Sequence, residues 1–157
     1  REFAPRIEVE PVASNVTAEN AVELVGRADL VVDCAPMFEE RFALNDACLE
    51  LDRPMVECAM YELQATITTL VPGQTPCLRC LVPEAPPAWT RRFPVFGAVS
   101  GTVGCLAAME AIKLLGGFGK PLLGRMLSMN LRDMSFTETR FDGMPRCARC
   151  SRFEPAG

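Results

Sequence analysis

Two cysteine pairs carry the clearest chemistry in the sequence. Cys77 and Cys80 stand two residues apart in "TPCLRC", and Cys147 and Cys150 repeat the spacing in "PRCARC". Two intervening residues let both sulfurs of a pair turn toward one ion from a tight knuckle, and zinc takes four such ligands in a tetrahedron. Each pair is flanked by a proline (Pro76, Pro145) and contains an arginine (Arg79, Arg149), whose charge favours the thiolate. A dithiol redox site is a second reading, although it needs only one pair, placed where a strand meets a helix. Unpaired thiols are a third. The doubled spacing favours a structural zinc held by Cys77, Cys80, Cys147 and Cys150, with no open position for a substrate.

The chain has eight cysteines and no histidine. It therefore lacks the commonest general base and metal ligand, and with it any Ser-His or Cys-His catalytic pair. Cys34, Cys48, Cys58 and Cys105 lie singly in apolar stretches and read as small core residues. Among the acids, Asp33 closes the apolar run "LVVD". Ligands of open α/β sheets gather at the carboxyl ends of strands, so Asp33 is the candidate for cofactor binding, with a turn cap as the plain alternative. Glu39 and Glu40 fall near the start of the next helix, where they read as surface acids that compensate its dipole. "GGFGKP" (116–121) lacks the GxxxxGK[ST] pattern and closes a helix instead of opening one, so it reads as a C-cap turn.

These residues need elements to hold them. "RIEVEPV" (6–12) alternates apolar and charged residues and predicts a strand. A helix follows from a cap at Thr17, where Asn20 stands in the capping-box position usually held by Glu or Gln, and Gly26 ends it. "DLVVDCA" (29–35) and "PMVECAM" (54–60) predict buried parallel strands, with a helix between them over 37–51. "LQATITTLVP" (63–72), rich in threonine and β-branched residues, predicts an antiparallel or edge strand. Pro83, Pro86, Pro87 and Pro94 make residues 83–97 an extended crossover loop, since proline fixes φ and lacks the N–H. "AVSGTVGCLAAMEAIKLLGG" (98–117) is the strongest helix, apolar on nearly every side and so expected to be buried. Residues 122–141 predict two strands or one hairpin, bent near Arg132 and Asp133. Strand, helix, strand, helix, strand in that order implies a parallel sheet with right-handed crossovers, an α/β fold whose parallel strands continue into antiparallel ones.

The totals exclude other classes. At 157 residues the chain fits a single domain. A net charge of −4 argues against a nucleic-acid surface, and "TRRF" (90–93) reads as a solvated loop. No apolar run approaches the ~20 residues that span a bilayer. The charged start, "REFAPRIEVE", lacks the apolar core of a secretory signal. The cysteine usage fits a reducing compartment, so the expectation is a cytoplasmic protein with no membrane or nucleic-acid partner.

The ordered set "ADLVVDCA", "RPMV", "PGQTPCLRCLVPE", "GAVSGTVGCLAAMEAIKLLGG" and "PRCARC" resembles the ThiF/MoeB/HesA family of ubiquitin-activating-like adenylyltransferases, from about residue 6 to 151. The resemblance implies the C-terminal part of a Rossmann-like fold with a structural zinc at the four paired cysteines. It implies a parent protein that uses ATP and magnesium to activate the C-terminal glycine of a ubiquitin-like sulfur carrier, working as a homodimer. The family's glycine-rich nucleotide loop lies in an N-terminal portion with no counterpart in this sequence, so ATP and magnesium are expected only together with that portion, and this chain alone is expected to be inactive. Two family features are replaced. Ala35, Pro36 and Met37 stand where the family has Thr-Asp-Asn, and Thr90 stands where many members carry a cysteine nucleophile. The alternative implied by both replacements is a catalytically degenerate, zinc-containing binding or assembly protein for such a carrier.

Overall fold

The computed structural model describes residues 5–141 and 143–153; the extreme charged start, residues 1–4, lies outside them. Its centre is a five-stranded sheet in the order β1 (Val31–Asp33), β2 (Met55–Tyr61), β3 (Gln64–Leu70), β4 (Arg125–Asn130), β5 (Ser135–Arg140). Only β1 and β2 are parallel; each later neighbour is antiparallel. The parallel pair needs a crossover longer than a hairpin, and α2 (Phe38–Glu50) supplies it.

Alternation along the strands divides the core in two. Met55 and Leu70 face α2 and the short α1 (Ala21–Gly26), joining Val25, Phe42, Leu44 and Cys48. The intervening residues Val56, Cys58, Ala65 and Ile67 face the other way and meet Val99, Val103 and Ala107 of α4 (Gly97–Gly116). The period-2 pattern of a strand thus serves two helical layers at once. Thr68 and Thr69 are fully buried. Their hydroxyls donate to the Arg125 carbonyl (2.8 Å) and to Glu110 Oε2 (2.8 Å), so neither is left unsatisfied.

Several expectations change. Residues 6–12 form no strand; Ile7, Val9 and Val12 are exposed, and among the described residues no strand pairs with their alternation. β3 is antiparallel to both neighbours, as the first of its two expected roles had it, but it is central, between β2 and β4, and not an edge. The predicted helix α4 forms, and Gly117 closes it in the left-handed region (φ 64°) with Phe118 N–H donating to the Lys113 carbonyl. Its burial is one-sided, however. Val99, Val103, Ala107 and Glu110 are covered, whereas Met109, Ile112 and Leu115 are exposed. At 20 residues α4 is also long and apolar enough by composition to cross a membrane, contrary to the expectation that no run approaches that length. Its packing on β2 and β3 and the buried, hydrogen-bonded Glu110 place it as a core helix of this fold. Near α1, Asn20 Oδ1 accepts from Thr17 N–H (2.8 Å), so asparagine fills the reciprocal half of the capping box that its position suggested.

Candidate functional site

The four paired cysteines converge. Their sulfurs all lie within 4.8 Å of one another, with Sγ···Sγ separations of 3.9 Å (77–80), 3.7 Å (77–147), 3.5 Å (80–150) and 3.8 Å (147–150). The edge of a tetrahedron with metal–sulfur bonds of about 2.3 Å is about 3.8 Å. The separations match that edge and far exceed a disulfide bond of about 2.05 Å. All four thiols are free, and the set can hold a metal ion.

Each pair is shaped by its own knuckle. Cys77 precedes α3 (Leu78–Leu81), and its carbonyl accepts from Cys80 N–H; the Cys147 carbonyl accepts from Ser151 N–H where a 3₁₀ turn (Ser151–Phe153) begins. Cys147 N–H donates to Cys80 Sγ (3.2 Å), joining the two knuckles. Burial pushes the Cys77 and Cys150 thiols up, with the neighbouring sulfurs adding to the effect. Burial also opposes ionisation of Cys147, but the Cys150 and Arg149 backbone N–H groups and the adjacent thiols bring it down to about 7. Four sulfurs this close cannot all ionise without a cation among them, so the donor set fits a divalent, thiophilic metal.

Two residues of α2 organise this cluster. Asn45 Oδ1 accepts from Leu78 N–H (2.9 Å). Asp46 accepts from Arg79 Nε (3.1 Å) and Nη2 (2.9 Å) and from Arg149 Nη1 (2.5 Å). The arginine of each pair therefore grips one carboxylate, and the Arg79 guanidinium also lies 4.3 Å over the Phe42 ring. Sequence reading found both arginines but not their shared partner; an "ND" pair on a helix gives no signal of it.

A second site opens past the carboxyl end of β1. A cavity of about 600 Å³ is lined by Cys34, Phe38, Arg41, Glu57 and Cys58 from the parallel unit and its crossover, by Trp89 and Phe93 from the proline-rich loop, and by Val103 and Gly104 of α4. The loop is extended but well anchored. Trp89 Nε1 donates to the Pro36 carbonyl (2.8 Å), and its ring meets Phe38 edge-on and packs against Phe93. Arg91 pairs with Glu40, whose other oxygen accepts from Met37 N–H (3.2 Å). Glu40 is thus buried and engaged, not a solvated surface acid. Thr90 is exposed and donates only to the Arg92 carbonyl (2.9 Å).

Asp33 sits beneath the cavity, fully buried. One oxygen accepts from Ala35 N–H (2.9 Å) and the other pairs with Arg41 Nη1 (3.3 Å). The same Nη1 meets Glu57 (2.9 Å) and the Cys58 carbonyl (3.2 Å). One guanidinium serves two buried carboxylates, and burial, partly offset by Arg41, pushes both acids up, Glu57 to about 7. The capping bond to Ala35 is the plain role foreseen for Asp33, and Arg41 and Glu57 are partners that sequence reading missed. Of the four single cysteines, Cys48 and Cys58 are buried as expected, but Cys34 and Cys105 are exposed.

A parallel pair continuing into antiparallel strands, a four-thiol cluster and a cleft at the strand ends define the class: an α/β fold on a mixed sheet with a cysteine knuckle that can hold a metal ion. The solved structure of E. coli MccB with MccA-N7isoASN has this fold, with TM-score 0.79 and 22% identity over 95% of this chain and 48% of that one. The ThiF family model matches residues 1–150, and the chain belongs to the ThiF family. It is 49% identical over 152 residues to protein HesA of Leptolyngbya boryana, covering 96% of this chain and 54% of HesA. It is 41% identical over 154 residues to the SAMP-activating enzyme E1 of Haloferax volcanii, covering 96% of this chain and 57% of that protein. To the sulfur carrier protein adenylyltransferase of Thermus thermophilus it is 37% identical over 155 residues, covering 93% and 57%. The chain spans about half the length of the curated relatives it matches.

Proposed function

We propose that this chain is the carboxyl-terminal part of an ATP-dependent adenylyltransferase that activates the C-terminal glycine of a ubiquitin-like sulfur carrier in the cytoplasm. The observation that carries the reading is the match, over 93% of this chain, to a protein named for adenylating a sulfur carrier. The cleft supports it: its apolar walls, with Phe38, Trp89, Phe93 and Val103 among them, suit an extended peptide tail. In this reading zinc at Cys77, Cys80, Cys147 and Cys150 is structural and fixes the C-terminal knuckle to α2. ATP and magnesium would be bound with a further N-terminal portion, since no glycine-rich strand-to-helix turn occurs among the described residues. Asp33 is the acid at the right end of β1, but its oxygens are committed to Ala35 and Arg41. As folded it fits an arginine better than a metal ion, and no step is assigned to it.

The test is ATP–pyrophosphate exchange by the full-length protein with magnesium and a candidate carrier. Carrier-dependent exchange and a carrier adenylate are expected; absence of both across the carriers of the source cell would reject the reading. A second reading, a degenerate binding or assembly protein, is favoured by one observation: the carbonyl of Pro36, at the family's aspartate position, is occupied by Trp89. Under it, Pro36→Asp would create exchange activity where the natural protein has none.

A further inference from the structure

The thiols of Cys34 and Cys58 belong to neither the four-thiol cluster nor the ion triad beneath the cleft, yet they stand together. β1 and β2 pair in parallel with Asp33 opposite Glu57. One residue further along, Cys34 therefore faces Cys58, with both side chains on the α4 side of the sheet. Neighbouring strands lie about 4.8 Å apart, inside the Cα separation of about 4.4–6.8 Å that a disulfide accepts. The sulfurs are 3.6 Å apart. Both thiols line the cavity of about 600 Å³, but unequally: Cys34 is exposed and Cys58 is only 3% exposed. The Cys58 S–H is directed at the Asp33 carbonyl (3.1 Å), which leaves its sulfur lone pairs free to face Cys34.

We propose that Cys34 and Cys58 form a thiol–disulfide exchange site for low-molecular-weight disulfides, with Cys34 as the attacking thiol and Cys58 as the resolving one. Cys34, as thiolate, attacks one sulfur of RS–SR; a Cys34–SR bond forms and RS⁻ leaves. Cys58 gives its proton to the departing thiolate, making RSH, and its sulfur attacks Cys34 Sγ. The Cys34–SR bond breaks, the second RS⁻ leaves, and a Cys34–Cys58 disulfide remains. Two protein thiols are oxidised and one small disulfide is reduced to two thiols, so electrons balance. The order follows from access: a small disulfide reaches the open Cys34, and buried Cys58 is reached only through it. The apolar, confined cavity favours a small molecule over a protein disulfide. The product staples the ends of the two parallel strands at the floor of the cleft. This inference stands apart from the adenylyltransferase reading, since it uses no nucleotide and no carrier.

The experiment uses the full chain, loaded with metal, carrying Cys105→Ser to remove the other exposed single thiol, and glutathione disulfide as the probe. Loss of two thiols per chain is expected, with a non-reduced peptide map joining the segments around Cys34 and Cys58 and no loss of metal. With Cys58→Ser added, one glutathione should remain trapped on Cys34; with Cys34→Ser instead, neither adduct nor cross-link should form. The proposal is overturned if no 34–58 cross-link forms, or if the Cys58→Ser chain, folded as the parent is by circular dichroism, carries no glutathione at Cys34. The cross-link is read on the chain with both thiols intact, so a poorly folding Cys34 or Cys58 variant cannot obscure the result.

Discussion

At the scale of single residues, the ion triad beneath the cleft makes the sharpest energetic statement. Arg41 faces Asp33 and Glu57, all nearly sealed from water. Removing the arginine would strand two buried carboxylates, a change that costs about 3–5 kcal/mol in comparable pairs. The pair of acids also gives stability a pH dependence of definite sign. Burial lifts Glu57 from an ordinary 4.5 to about 7 despite the attraction of Arg41. Its proton is therefore kept in the folded chain where the unfolded chain has already released it. Folding takes up that proton between about pH 4.5 and 7, so the stabilisation is complete below that window and is lost as pH rises through it. Asp33, raised by burial as well, adds to the same trend. Urea denaturation of the wild type and of Glu57→Gln across the window should show the wild type losing stability as pH rises and the variant losing distinctly less. Parallel slopes in the two proteins would refute the assignment. None of this was legible in the sequence. Asp33 stood out because it ends an apolar run, but the arginine that answers it lies eight residues on and the second acid on the next strand, a proximity created only by parallel pairing.

Among the elements, the reading succeeded where a local pattern and a tertiary need agree. α2, β2 and α4 lie close to their predicted spans, because each combines a strong period with a real partner layer. The hairpin of β4 and β5 turns at Arg132 and Asp133, where Asp133 accepts from Ser135 N–H (3.0 Å). Failures arose where the partner layer was assumed. The alternation of residues 6–12 asks for a neighbouring strand, and none pairs with it among the described residues. The composition of α4 asks for cover all round, but the sheet covers only one side. Met109, Ile112 and Leu115 remain outside, Leu115 with 66% of its surface exposed. Large exposed apolar patches mark association surfaces in other proteins, and we propose that copies of this chain pair through this one. Ile112→Glu combined with Leu115→Glu should leave the folding stability of the chain within about 0.5 kcal/mol, as surface substitutions do. The same pair should abolish self-association seen by size-exclusion chromatography with light scattering. If the wild type is monomeric at every concentration, the stripe is not a self-association surface.

For the molecule as a whole, the four-thiol cluster is a long-range tie. It joins α3 to the C-terminal turn across about seventy residues of chain, and Asp46 of α2 anchors both ends through Arg79 and Arg149. The doubled CxxC spacing announced this tie in the sequence, since two knuckles so built have few uses other than a shared ion; the carboxylate beneath them left no trace there. Residues 143–153 contribute Cys147 and Cys150 to a small cluster with Leu49 and Cys77, apart from the two main cores. Metal removal should therefore act locally before it acts globally. With the ion stripped by a chelator, the sulfurs that remain close are pushed toward the thiol form by burial and by one another, and the second knuckle is left to the Asp46–Arg149 pair and the Cys147 N–H bond to Cys80 Sγ. Hydrogen exchange on the chelated protein should show protection lost first in 78–81 and 147–153, with β2, β3 and the covered face of α4 still protected. Asp46→Ala should mimic part of this by weakening metal retention about 10-fold or more, as removal of an outer-shell partner does, while Cys147→Ser should abolish it. Simultaneous loss of protection across sheet and tail would show instead that the cluster supports the whole fold, and that the hydrophobic layers around β2 and β3 do not stand without it.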